Sequence, residues 1–221
     1  MHTLIREWKR MAVFQRLKGS LSKFKSLFIR KKTARIGIYG PPNAGKTTLA
    51  NRIVSDFSGE PMGTTSAIPH ETRRVLKREG VTVNSNGSSI ILDVVDTPGL
   101  ATRIDFHEFM AVGMPEEEAK KRAREATEGV IDAIKWLDSL DGVLLVMDSV
   151  EDPFTQVNVM VVGNMEARHL PILIVANKMD AKGSAVDRIR GAFPQHTVVP
   201  ISSLEGTNMD LLYETIAHRF G

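Results

Sequence analysis

Apolar residues cluster along this chain in short blocks whose period changes in a regular order. Arg35-Ile36-Gly37-Ile38-Tyr39 predicts a buried strand ending at Gly40, and the stretch from about Gly45 to Ser55 a helix. Val81–Val83 and Ile90–Val95 flank Asn84-Ser85-Asn86-Gly87, and Asn-Gly between two apolar runs predicts a hairpin. Gly142–Met147, Pro171–Ala176 and Thr197–Ile201 read as further strands. Between and after them lie helices expected from Pro153 to about Arg168, over Ala185–Ala192 and over Asn208–Arg219. Strands that are nearly all apolar and alternate with helices predict an α/β fold with a mostly parallel sheet covered on both faces. Ligands of such sheets bind in the loops beyond the strands' carboxyl ends.

Residues 115–138 form the longest helical stretch. Pro115 and Glu116-Glu117-Glu118 suit a first turn, where acids meet the positive end of the helix dipole. Glu116–Lys120, Glu117–Lys121 and Glu118–Arg122 make three i,i+4 pairs, each worth about 0.3–0.5 kcal/mol. Ala119, Ala123, Ala126, Val130, Ile134 and Leu137 supply the apolar stripe. At about 1.5 Å per residue the helix would run about 36 Å, and its charged first half is expected to project. Phe106, Phe109 and Met110 precede it, read either as packing or as a surface for a partner or a second copy.

Charge changes this picture at one end only. The 221 residues carry a net +3, yet residues 1–33 hold ten of the 29 basic residues and one acid, a net +9, leaving −6 on the remainder. Two units follow: a basic extension over 1–33 and a body over 34–221. In the extension Leu4, Trp8, Met11, Phe14, Leu17, Leu21, Phe24 and Phe28 recur at helical spacing among the cations. Such a basic amphipathic helix fits an anionic membrane surface best. Structured RNA phosphates and packing on the protein itself are the competing readings. The absence of cysteine excludes disulfides and thiolate metal sites and agrees with a reducing compartment, and no apolar run approaches a membrane span.

The chemistry lies in the loops after the strands. Gly40-Pro41-Pro42-Asn43-Ala44-Gly45-Lys46-Thr47 matches G-x-x-x-x-G-K-[ST] between a strand and a helix. Backbone N–H groups there, including those of Asn43, Ala44, Gly45 and Thr48, form an anion cradle, Lys46 reaches β- and γ-phosphates, and the Thr47 hydroxyl ligates Mg2+. Asp96-Thr97-Pro98-Gly99 follows the Ile90–Val95 strand. Asp96 is placed to hold Mg2+ through water, and Gly99 to offer its N–H to a γ-phosphate. Asn177-Lys178-Met179-Asp180 follows the Ile172–Ala176 run. Asp180 can accept hydrogen bonds from both N1–H and the 2-amino group of guanine, a donor pair that adenine lacks. Ser202-Ser203-Leu204 lies where a backbone N–H would meet guanine O6.

With these motifs in this order, residues 34–219 resemble the Era branch of the translation-factor-related P-loop GTPases, and most of all its short archaeal Era-like members. The resemblance implies the P-loop NTPase three-layer fold, a six-stranded, mostly parallel sheet with one antiparallel strand. It also implies GTP and GDP as ligands, hydrolysis of GTP, Mg2+ as cofactor, and a cytoplasmic protein, which the basic amphipathic extension read above would bring to a membrane as a peripheral protein. Ile68-Pro69-His70-Glu71-Thr72-Arg73 resembles the branch's P-G-T-T-R run and selects Thr72 as the switch residue that binds Mg2+ and the γ-phosphate, ahead of Thr64 and Thr65. Leu100 stands where related enzymes carry a glutamine that orients water. Among Arg103, Asp105, His107 and Glu108, the expected substitute is Glu108. Asn43 occupies the position that helps bind K+ in potassium-stimulated relatives; stabilising the turn is the other reading. Only two residues follow Arg219, so an RNA-binding KH domain like that of Era is not expected, and ribosomal RNA remains a partner only through residues 1–33. The alternative to an enzyme is a guanine-nucleotide-sensing interaction module with negligible hydrolysis, recruited to a membrane or ribosomal RNA by its N-terminal helix; a nucleotide-dependent homodimer through Phe106, Phe109 and Met110 is a separate expectation.

Overall fold

The structure, a computed structural model, describes residues 33–58, 76–85, 88–97 and 104–221. The basic extension up to Lys32, the switch threonines Thr64, Thr65 and Thr72, and Gly99, Leu100 and Arg103 lie outside these residues, while Thr33, placed in the extension above, opens the first strand. Six strands form one sheet: β1 (Thr33–Tyr39), β2 (Leu76–Ser85), β3 (Ser88–Asp96), β4 (Gly142–Asp148), β5 (Ile172–Asn177) and β6 (Thr197–Pro200). Their order is β2-β3-β1-β4-β5-β6. Only β2 runs antiparallel, pairing Ser85 with Ser88 across Asn86-Gly87, as the hairpin reading requires. It is longer than its apolar block, because Gly80 N–H donates to Asp93 Oδ1 (3.0 Å) where the register shifts between Arg78 and Val81.

The helices are α1 (Lys46–Ser58), α2 (Phe106–Ala111), α3 (Glu116–Trp136), α4 (Gln156–Ala167), α5 (Val186–Ala192) and α6 (Met209–Phe220). Strand alternation divides the core. Ile36, Ile38, Leu144, Val146, Leu173 and Val175 pack on one face with Leu49 and Ile53 of α1 and Leu212 and Ile216 of α6. Val143, Leu145, Ile172 and Ile174 pack on the other with Ala133, Val161, Met165 and Ile189. This is the three-layer arrangement expected from the sequence.

Two helix expectations are corrected. The helix expected from Pro153 begins at Gln156: Thr155 caps it by accepting from Asn158 N–H (3.2 Å), while Pro153 offers its carbonyl to Asn158 Nδ2 (3.1 Å). The first half of α3 does not stand free, because Asp105 caps the short helix α2, which packs along it. Ala119 and Arg122 are buried there, so Arg122 is no solvated partner for Glu118. Of the three expected pairs, Glu116–Lys120 forms at 2.7 Å. Phe109 is buried, leaving Met110 and Val112 exposed on α2's outer end.

Candidate functional site

Strand β1 lies between β3 and β4, where the chain order reverses, so its carboxyl end opens into the crevice such sheets use for ligands. The turn leaving it is built on two glycines. Gly40 has φ +146°, and a Cβ there would sit 2.2 Å from the Val146 carbonyl oxygen; Gly45 has φ +92°, and its Cβ would sit 2.2 Å from Asn177 Nδ2. Between them Asn43 takes φ +60° with its side chain exposed, a left-handed conformation that asparagine tolerates better than most residues. That backbone agrees with the turn reading made above, although His169 and Lys178 adopt a similar φ.

Lys46 folds back across the turn, its Nζ donating to the Pro41 carbonyl at 2.8 Å. Burial lowers its pKa to about 8, against the pull of Asp96. Asp96 is fully buried at the end of β3; burial raises its pKa to about 6, although the Thr47 hydroxyl and Lys46 pull it down. Thr47 Oγ1 donates to Asp96 Oδ2 at 2.8 Å, while Oδ1 is buried without a hydrogen-bond partner. An orphaned carboxylate oxygen beside a hydroxyl is an all-oxygen donor set that fits Mg2+. Among the described residues no group of three or more His, Asp or Glu side chains forms a cage for a metal. An ion here would therefore take its remaining ligands from water and a polyphosphate.

Three loops meet at Asn177. Its buried amide donates from Nδ2 to the Ala44 carbonyl (2.9 Å) and accepts at Oδ1 from Ser203 N–H (3.0 Å), so the phosphate loop and the 202–204 loop share one side chain. Lys178 has φ +60° and pairs with Asp148 Oδ2 at 2.6 Å; two residues on, Asp180 is exposed. Ser202 and Ser203 are buried, Leu204 is exposed, and the loop closes through Gly206 N–H to the Ser202 carbonyl at 2.8 Å.

The structure thus gathers Asn43 through Thr48, Asp96, Asn177 through Asp180 and Ser202 through Leu204 at one end of the sheet. Glu108 is exposed on α2, and among the described residues its side chain makes no hydrogen bond to the phosphate loop or Asp96. Sequence reasoning missed Asp148, which holds Lys178, and Ser149, whose buried hydroxyl donates to the Asn177 carbonyl at 2.6 Å. Their signal was position, since both stand at the carboxyl end of β4. It also missed Arg52, whose Nε and Nη2 donate to the carbonyls of Ser203 (3.2 Å) and Leu204 (2.6 Å). No local pattern marks a contact spanning about 150 residues.

A strand, a glycine-pinned turn and a helix carrying Lys46 and Thr47, facing a buried Asp96, define the P-loop nucleotide-binding class. A family model for 50S ribosome-binding GTPases matches residues 35–178, and the chain belongs to that family. It is similar to GTPase Era of Pseudomonas aeruginosa, 30% identical over 190 residues (83% of this chain, 53% of that protein). GTPase Era of Geotalea daltonii is 27% identical over 186 residues, covering 82% and 53%. Among solved structures, a variant of Aquifex aeolicus Era bound to GDP and AlF4 superposes with a TM-score of 0.66 at 24% identity, covering 86% of this chain and 57% of that one. An Era complex with MgGDPNP and nucleotides 1506–1542 of 16S ribosomal RNA also superposes with a TM-score of 0.66 at 24% identity, covering 87% and 58%. The chain spans about half the length of the curated relatives it matches.

Proposed function

We propose that this chain is a Mg2+-dependent switch that binds GTP and hydrolyses it to GDP and phosphate. The observation that supports it best is the Asn177 amide joining Ala44 to Ser203. A pocket that grips a polyphosphate and reads a base at once needs those two loops at a fixed spacing. In this reading the N–H groups of Asn43, Ala44, Gly45, Lys46, Thr47 and Thr48 cradle the phosphates, and Lys46 neutralises charge on the β- and γ-groups. Thr47 and Asp96 would hold Mg2+, which when bound offsets the charge that builds on the phosphates. Thr72 and Gly99 join in the triphosphate state. Lys178 is held in place by Asp148, Asp180 accepts from the guanine N1–H and amino group, and the backbone of Ser202–Leu204 meets O6.

Single-turnover phosphate release tests this: GTP is cleaved in Mg2+ and not after chelation, and ATP is spared. GTP that binds and is never cleaved would instead support the sensing module. Equal rates in Na+ and K+ would remove the K+ role for Asn43, and an undiminished rate in Glu108→Gln would dismiss Glu108 as the water-orienting group.

Residues 1–33 are proposed to rest on an anionic membrane surface, given their cations and apolar stripe. The full chain should pellet with anionic vesicles and a chain starting at Thr33 should not; identical pelleting leaves RNA, with its steep salt dependence, and packing on the protein itself as the competing readings. Among the described residues no helix is long and apolar enough to cross a membrane. Nucleotide-dependent self-association is proposed to use Met110 and Val112, the exposed apolar side chains of the α2 end.

A further inference from the structure

We infer that Arg52 is a positioning residue for purine recognition, one that aims the Ser203–Leu204 peptide from the same helix that carries the phosphate-loop lysine. The inference rests on the proposed guanine pocket and adds to it a residue outside every motif.

Arg52 lies six positions after Lys46 on α1, half-buried, with its guanidinium on two successive carbonyls of the 202–207 loop. Nε donates to Ser203 O at 3.2 Å and Nη2 to Leu204 O at 2.6 Å. A planar guanidinium makes such a two-point contact and an ammonium does not. In a trans peptide the N–H points opposite to its C=O. Holding Ser203 O toward α1 therefore turns Leu204 N–H away from α1. The preceding peptide is fixed from the other side, because Ser203 N–H already donates to Asn177 Oδ1 at 3.0 Å. The following one is fixed as well, since Glu205 N–H donates to Ser202 Oγ at 3.1 Å. Three consecutive amides are thus set: Ser203 N–H and Glu205 N–H each have an acceptor, and Leu204 N–H is the one among them with none among the described residues. It is the donor left for a carbonyl at the 6-position of a purine. Gly206 completes the fit: with φ +80°, it leaves the space 3.4 Å from Arg52 Nη1 that a Cβ would occupy.

The test is calorimetric titration of the full chain with GDP, ADP and 6-thio-GDP, which keeps N1–H and the amino group but presents sulfur, a poor acceptor, in place of O6. The same titrations follow for Arg52→Ala and Arg52→Lys. The wild type is expected to prefer GDP to 6-thio-GDP. In Arg52→Ala, GDP affinity should fall about 10-fold while 6-thio-GDP changes less than about 2-fold, so that the preference collapses. Arg52→Lys, which keeps the charge but presents its donors from a single nitrogen, should fall between and guards against an alanine variant that does not fold. Equal weakening of both nucleotides, or no weakening, overturns the positioning role. A wild type that fails to prefer GDP to ADP instead brings down the pocket reading, and this inference with it.

Discussion

Replacing Asn177 by alanine removes two hydrogen bonds that lie inside the protein, to the Ala44 carbonyl at 2.9 Å and from the Ser203 N–H at 3.0 Å. Both partners are buried, at 1% and 3% exposure, so neither finds bulk water in exchange. Each orphaned group costs about 1–3 kcal/mol, and a total of about 2–4 kcal/mol follows if the half-exposed turn lets one water in. For a domain of this size that is a drop of about 5–15 °C in the melting midpoint. Asn177→Asp sharpens the argument. It keeps an acceptor for Ser203 N–H but sets a carboxylate oxygen against the Ala44 carbonyl, so it should destabilise at least as much as alanine despite its matching shape. The assay is urea unfolding of the nucleotide-free chain followed by calorimetric titration with GDP. In both variants stability and affinity should fall together, because the lost side chain joins the two loops that the nucleotide bridges. Unchanged stability with unchanged GDP affinity in Asn177→Ala would refute the reasoning.

Gly45→Ala places a Cβ at φ +92° and 2.2 Å from Asn177 Nδ2; unfolding should show a loss of about 2–4 kcal/mol, and titration no GDP binding. Asp96 has a folded pKa raised by burial to about 6 from 3.8. Its ionisation therefore costs stability, absent below the unfolded value and growing as pH rises from about 4 to 6, by roughly 3 kcal/mol in all. Asp96→Asn should make the nucleotide-free chain more stable at pH 8, with the gain shrinking toward pH 5, while Mg2+-dependent nucleotide binding is lost; urea titrations at the two pH values check it. Tyr39→Phe removes the hydrogen bond from its buried hydroxyl to the Ala133 carbonyl at 2.7 Å. It should cost about 1 kcal/mol in urea unfolding and leave GDP affinity unchanged.

The phosphate loop was legible because its constraints are local: glycines where φ turns positive, a lysine and a threonine at the start of a helix. The sheet was legible for the same reason, since blocks such as Val143–Met147 are buried on both sides and Asn-Gly in the sequence marks a hairpin, whose flanking Ser85 and Ser88 pair. Asn177, Lys178 and Asp180 could be placed because they follow a strand directly. What could not be read depends on distant partners. Arg52 looks like one more polar residue on a surface helix, and only the fold lays it against Ser203 and Leu204. Arg122 sits in a run of charges and looks solvated, yet it is buried, and α2, which packs along the same helix, is six residues long and too short to show a period. Asn43 shows a further limit, since the residue type a K+ ligand needs is the type a left-handed turn also favours.

Calorimetric titration of the full chain with GDP and with ADP, repeated on Asp180→Asn, tests the central claim most directly. The account predicts that GDP binds tighter than ADP by about 1,000-fold or more. It also predicts that Asp180→Asn loses that advantage and turns to xanthosine diphosphate, whose 2-oxo group accepts from the new amide while N1–H still donates to it. Equal affinity for GDP and ADP in the wild type, or binding of neither, would contradict it.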